Sequence, residues 1–138
     1  MKTQTTLISF ITLAYLCGVN LVRAEAPNDS GPGVGPVTKL EIGALDQKIA
    51  AHGAEIFASK CAACHKFGER YVGPDLAGIT RRRQPEWIMN MILNPVEMTQ
   101  KDPIAQDLFG TFLIQMTQQN LTQDEARAVL EHFRSKDK

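Results

Sequence analysis

The sequence predicts an all-α domain. Four segments place apolar residues at helical spacing, no stretch alternates apolar and polar residues as a half-buried strand would, and the periodic segments are bounded by capping residues or prolines. Four to five helices are expected, packed as one layer against another around a single core.

Residues 1–24 read as a secretory signal peptide and are set apart from the domain. Lys2 gives a small positive start, residues 5–21 are mostly apolar, and Val22-Arg23-Ala24 places small or apolar residues where a signal peptidase cuts, so the mature chain is expected to begin at Glu25. The apolar run falls short of the ~20 residues of a comfortable membrane span, with an uncleaved anchor as the alternative. Cys17 lies inside that run behind Leu16, where a lipoprotein signal would have a small residue. Residues 25–44, with Gly31-Pro32-Gly33-Val34-Gly35-Pro36, read as a flexible Pro/Gly-rich linker, and residues 45–138 as the folded domain.

Within the domain, a first helix is expected over residues 46–59, with Ile49, Gly53, Ile56 and Phe57 on one face. Its glycine costs helix stability, which points to close approach by another element. Residues 68–80 read as a loop. Gln84-Pro85 opens a second helix, which Pro95 stops near Leu93. Asp102-Pro103 reads as an N-cap followed by proline at the first helical position, with Ile104, Leu108 and Phe112 recurring every four residues. Thr122-Gln123-Asp124-Glu125 forms a capping box before Ala126, Val129, Leu130 and Phe133, which share a face.

Between the first helix and the loop stands Cys61-Ala62-Ala63-Cys64-His65, the attachment signature of a c-type haem. Two thiols one short turn apart can each form a thioether to a porphyrin vinyl group, and the next residue, an imidazole, is the usual proximal iron ligand. Two other readings compete. A zinc site would need two more ligands at a paired spacing, whereas His52 and His132 stand alone. A redox dithiol would call for a βαβ setting, which the pattern lacks. Export agrees with haem attachment, because removing residues 1–24 leaves Cys61 and Cys64 as the sole cysteine pair in an oxidising compartment.

Charge narrows the partners. Loss of Lys2 and Arg23 leaves 13 basic against 15 acidic residues, a formal charge of −2, which argues against nucleic acid as a ligand. The run Arg81-Arg82-Arg83 suits the two propionates that a haem brings, with a solvated helix entry as the alternative. For a sixth ligand the candidates are methionines. Met89 and Met91 lie in a short apolar helix where thioethers usually fill core space, Met98 lies just past Pro95, and Met116 lies 51 residues after His65 in an irregular stretch.

Over residues 45–136 the pattern resembles class I cytochrome c. Gly53 and Phe57 before the haem motif, and Leu130 and Phe133 in the last helix, match that family's crossing helices. Gly73-Pro74-Asp75-Leu76-Ala77-Gly78 looks like its proximal loop, and Met116 stands ahead of Leu121-Thr122 as its ligand methionine does. The resemblance implies a class I cytochrome c-like fold of four to five helices around one covalently bound haem c. It implies His65 and Met116 on the iron, Pro74 accepting a hydrogen bond from His65, and Arg82 near a propionate. Trp87 either donates its indole N–H to a propionate or packs in the core. In one respect the chain departs from the family: Gln115 and Thr117 flank Met116 where a proline is usual, which implies a looser ligand loop.

The function implied is that of a one-electron carrier of the periplasm or cell envelope. It would receive electrons from a donor cytochrome or quinol-oxidising complex and pass them to a terminal reductase or oxidase. Residues 90–95, 102–105 and 116–122 resemble small bacterial cytochromes associated with nitrous oxide respiration, which makes nitrous oxide reductase a candidate acceptor beside a haem-copper oxidase. No acid–base or nucleophile constellation suggests an enzyme. Should no methionine bind iron, peroxidase activity or gas binding becomes the alternative, and should no haem attach, thiol oxidoreduction.

Overall fold

Asp46 starts the first helix by accepting the backbone amides of Lys48 and Ile49 at 2.8 and 3.1 Å, two of the donors that every helix start leaves unpaired. The computed structural model describes residues 31–137, and the expected signal peptide lies outside them. Among the described residues there are six helices and no strand: α1 (Gln47–Lys60), α2 (Ile79–Arg82), α3 (Pro85–Leu93), α4 (Pro95–Lys101), α5 (Pro103–Phe112) and α6 (Gln123–Lys136). None is long and apolar enough to cross a membrane.

Helix α6 opens on the expected capping box. The Thr122 hydroxyl accepts the Glu125 amide at 3.2 Å, while the Glu125 carboxylate accepts the Thr122 amide at 2.8 Å. It crosses α1 with almost no space between the backbones, because a Cβ at Gly53 would lie 1.8 Å from the Ala128 carbonyl oxygen. Ala50, Ile56 and Phe57 of α1 and Ala126, Val129, Leu130 and Phe133 of α6 are buried. Ile49, expected on the buried face, is 40 % exposed; Ala50 takes that place, since close helix contact favours the smaller side chain. Phe57, Phe67, His132 and Phe133 close one end of the crossing, with ring centroids 5.1–6.3 Å apart.

Two helices exceed the expected set. Pro95 ends α3 and also begins α4, because proline, with no N–H to satisfy, fits the first position of a helix as well as it blocks the interior of one. The short α2 lies at the end of the expected loop. Asp137, just past α6, holds it: its carboxylate accepts the amides of Gly78 and Thr80 at 2.6 and 2.9 Å and the Thr80 hydroxyl at 2.8 Å.

The expected flexible linker is corrected over its described part. Residues 31–43 run across α3 and α4, fastened by side chains that composition does not reveal. The fully buried Asn90 accepts the Val37 amide at 3.0 Å and donates to the Pro32 and Val37 carbonyls at 2.8 Å each. Glu86 accepts the Leu40 amide. At the far end, buried Glu131 binds Arg127 and Arg134, which donate in turn to the carbonyls of Glu41 and Gly43. Both arginines offset the burial of the carboxylate and stitch the N-terminal segment to α6.

Gly53→Ala is expected to cost about 3 kcal/mol of unfolding free energy, at the upper end of overpacking penalties. Gly110→Ala in α5, where a Cβ meets nothing within 4 Å, is expected to be neutral or stabilising by up to ~1 kcal/mol. Denaturant melts of the two variants check both. A pH effect follows from His132, whose imidazole burial holds below the ordinary histidine value of 6.5, with Lys136 acting in the same direction. The unfolded chain takes up a proton there before the folded one, so this contribution is intact above about pH 6.5 and declines as pH falls below it. Between pH 7 and about 5, the denaturation midpoint of His132→Phe should therefore fall less than that of the wild type.

Candidate functional site

The last turn of α1 delivers the motif. The Cys61 and Ala62 amides both donate to the Phe57 carbonyl, and the Cys64 and His65 amides donate to the Cys61 carbonyl at 3.0 and 2.9 Å, so the five residues form one tight turn. The chain then folds back on itself, with the Gly73 amide on the Cys64 carbonyl at 2.8 Å and the Leu76 amide on the Lys66 carbonyl at 3.0 Å. Asp75 braces this loop by accepting the amides of Gly68 and Ala77 at 2.7 and 2.8 Å, which holds its carboxyl below the usual range.

His65 is fixed from two sides. Its Nδ1 lies 3.2 Å from the Pro74 carbonyl oxygen; a carbonyl only accepts, so Nδ1 carries the proton and Nε2 keeps a free lone pair. Gly73 lies flat against the ring, where a Cβ would come within 2.5 Å of Cε1. Burial lowers the imidazole's pKa, with the Pro74 bond opposing, so the ring is neutral near pH 7, the form in which it can bind a metal. The Cys61 thiol is pushed up to about 11, by burial first and then by Cys64.

A cavity of about 420 Å³, within the ~300–1,000 Å³ of small-molecule and cofactor sites, opens beside this turn. Cys61, Cys64, His65 and Pro74 line it together with Met116, which the chain between α5 and α6 brings to the same space. Apolar side chains such as Leu76, Ile79, Ile88, Ile92 and Leu108 make up much of the rest. Met91 and Met116 are the two methionines on the wall. Met98 is elsewhere: it is fully buried, with its sulfur accepting the Val34 amide at 3.0 Å.

The other expected residues reach the cavity with their polar atoms already engaged. Trp87 lines it and is buried, with its indole N–H donating to Asp102 Oδ1 at 3.1 Å, an arrangement that fits the core role, one of the two the sequence left open. Asp102 is 3 % exposed, and the same Oδ1 caps α5 by accepting the Ala105 amide at 2.9 Å, so the buried carboxylate is hydrogen-bonded from two sides. Arg82 lines the cavity while donating to the carbonyls of Ala77 and Asp75. Sequence reasoning gave no separate role to Arg83, whose guanidinium lies 5.4 Å from the Trp87 ring centre and also borders the cavity. Each arginine of the run thus has its own partner, Arg81 donating to the Asp137 carbonyl.

The cytochrome c family model matches residues 50–136. This chain belongs to the cytochrome c family. It is similar to the cytochrome c of Rhodothermus marinus, with 37% identity and a TM-score of 0.75 over 80% of this chain and 96% of that one. An engineered form of that cytochrome, Rma TDE, gives 36% and 0.74, and the same engineered protein bound to a carbene intermediate gives 36% and 0.71, with the same coverage. No curated protein matches the chain. Family membership makes it a haem c electron carrier with redox proteins as partners. The cavity fits that cofactor: its lining is largely apolar, and it presents two thiols, an oriented neutral imidazole and a thioether sulfur.

Gly73→Ala is expected to push the His65 ring aside and weaken its bond to Pro74. The oxidised haem protein should then show an altered EPR signal and lose about 1–3 kcal/mol of stability. Gly110→Ala should leave the EPR signal as in the wild type.

Proposed function

We propose that the chain is an exported monohaem c-type cytochrome that shuttles single electrons in the periplasm or cell envelope, with thioether bonds at Cys61 and Cys64 and with His65 and Met116 as axial ligands. One observation carries this reading: Cys61, Cys64 and His65 share a cavity wall with Met116, 51 residues further along the chain. The haem, when bound, supplies reversible one-electron chemistry. The protein contributes the rest. The Pro74 carbonyl orients His65 and raises its basicity, while a thioether from Met116 favours the reduced state and so raises the potential. The apolar walls keep water from the centre.

The thiol alternative loses support from Cys61. A nucleophilic dithiol needs a lowered pKa, and here burial raises it, so the thiolate is scarce at neutral pH. No observation favours an open sixth position, since Met116 is at the cavity.

Partner contact is expected at the mouth of the cavity, where Val72, Phe109 and Ile114 line the space and are 36, 43 and 51 % exposed. Residues 108–123 carry no charge, while Lys60, Lys66 and Arg70 lie near the motif. Lys66 lies over the Tyr71 ring, and Arg70 lies over Phe112 and donates to the Thr111 carbonyl, so the basic groups border an apolar face. Such an arrangement suits brief redox encounters of small area with an acidic-rimmed partner. Candidate partners are a donor cytochrome or quinol-oxidising complex and, as acceptor, nitrous oxide reductase or a haem-copper oxidase.

Stopped-flow oxidation of the reduced protein by these acceptors tests the role: fast transfer that slows with added salt is expected. Rapid peroxide turnover by the wild type with no transfer to any acceptor would replace the carrier by a peroxidase. For the ligand, Met116→Ala should abolish the weak far-red charge-transfer band of the oxidised protein, whereas Met91→Ala and Met98→Ala should keep it.

A further inference from the structure

The segment that brings Met116 to the cavity lacks the proline that would stiffen it, yet it is held from α4. Gln115 is half-buried, and its amide faces three groups: the Thr99 hydroxyl at 2.9 Å from Oε1, and the carbonyls of Pro95 and Met116 at 3.4 and 3.1 Å from Nε2. The orientation follows from hydrogen-bonding capacity. Two carbonyl oxygens can only accept, so the NH₂ must face them and Oε1 faces the hydroxyl as an acceptor for its proton. Thr99 shares that proton with two acceptors of its own helix, the Pro95 carbonyl at 3.1 Å and the Val96 carbonyl at 2.9 Å, and the latch joins the loop to α4 through Thr99 and Pro95. On the other side the chain leaves α5 through its C-cap Leu113, two residues before Gln115, which is 82 % exposed and sits at φ 55, a left-handed conformation uncommon for leucine.

We infer that Gln115 is a positioning residue for the axial thioether, a side-chain latch onto Thr99 and Pro95 that restrains the Met116 peptide in place of a proline. The inference rests on Met116 as iron ligand. A restrained loop keeps the sulfur at high local concentration, so a competing ligand must displace it against the latch.

Titration of the oxidised protein with imidazole, which replaces the methionine, reads this directly. Gln115→Ala should bind imidazole about tenfold more tightly than the wild type, the equivalent of one net hydrogen bond. The isosteric Gln115→Glu, which loses the NH₂ donors and keeps the acceptor for Thr99, should bind imidazole more tightly than the wild type, though by no more than Gln115→Ala. Thr99→Val should shift affinity in the same direction, and the double variant Thr99→Val, Gln115→Ala should go no further than Gln115→Ala, because both changes remove one shared bond. Wild-type affinity in Gln115→Ala or in Gln115→Glu, or fully additive effects in the double variant, would overturn the latch while Met116→Ala still loses its far-red band. Survival of that band in Met116→Ala would overturn the ligand assignment, and this inference with it.

Discussion

The close crossing of α1 and α6 is the constraint on which the rest depends. At Gly53 the two backbones meet over the Ala128 carbonyl with no room for a side chain, and this fixes how α1 leaves the crossing. The Cys61–His65 turn begins where α1 ends, so the position of both thiols and of the imidazole is set by that contact before any cofactor is considered. Val129 and Phe133, on the α6 side, belong at once to the buried core and to the cavity wall. A shift of the crossing would therefore move the floor of the site as well as its reactive edge.

The second organising feature is the use of buried polar groups as fasteners. Asn90, Asp102 and Glu131 are each almost completely buried, and each ties elements that are remote in sequence: Asn90 the N-terminal segment to α3, Asp102 the start of α5 to Trp87, and Glu131 with its arginines the segment near residue 42 to α6. Removing any one would leave its partners desolvated and unpaired, so such groups specify one arrangement more than they add stability. Through Asn90 and Asp102, the helices that form the cavity wall around Trp87, Ile88 and Ile92 are held by bonds to segments outside it.

What was legible in the sequence was local. The haem motif, the capping box at Thr122, the Asp102 cap and the proline at the head of α3 are all set by neighbours within a few residues, and each stands where it was expected. Pro74 was found through resemblance, and its carbonyl does face His65 Nδ1. The misses come from long-range pairing. Glycine and proline content suggests freedom for residues 31–43, but Asn90, 53 residues away from Val37, supplies the bonds that remove it. Pro95 gives the same signal whether it ends one helix or begins the next, and only the packing of Met98 beneath Val34 and Gly33 decides for both. For Trp87 the sequence leaves a propionate or the core, and the bond to the buried Asp102 carboxylate, 15 residues away, is not visible in it.

The central claim is that Cys61 and Cys64 hold a haem beside His65. Mass spectrometry of the proteolytic peptide containing residues 61–65, taken from protein made in cells that attach haem, tests it most directly. The account predicts a peptide carrying one haem, with neither thiol available to an alkylating reagent. A peptide with two alkylatable thiols, or with Cys61 and Cys64 joined as a disulfide and no haem, would contradict it.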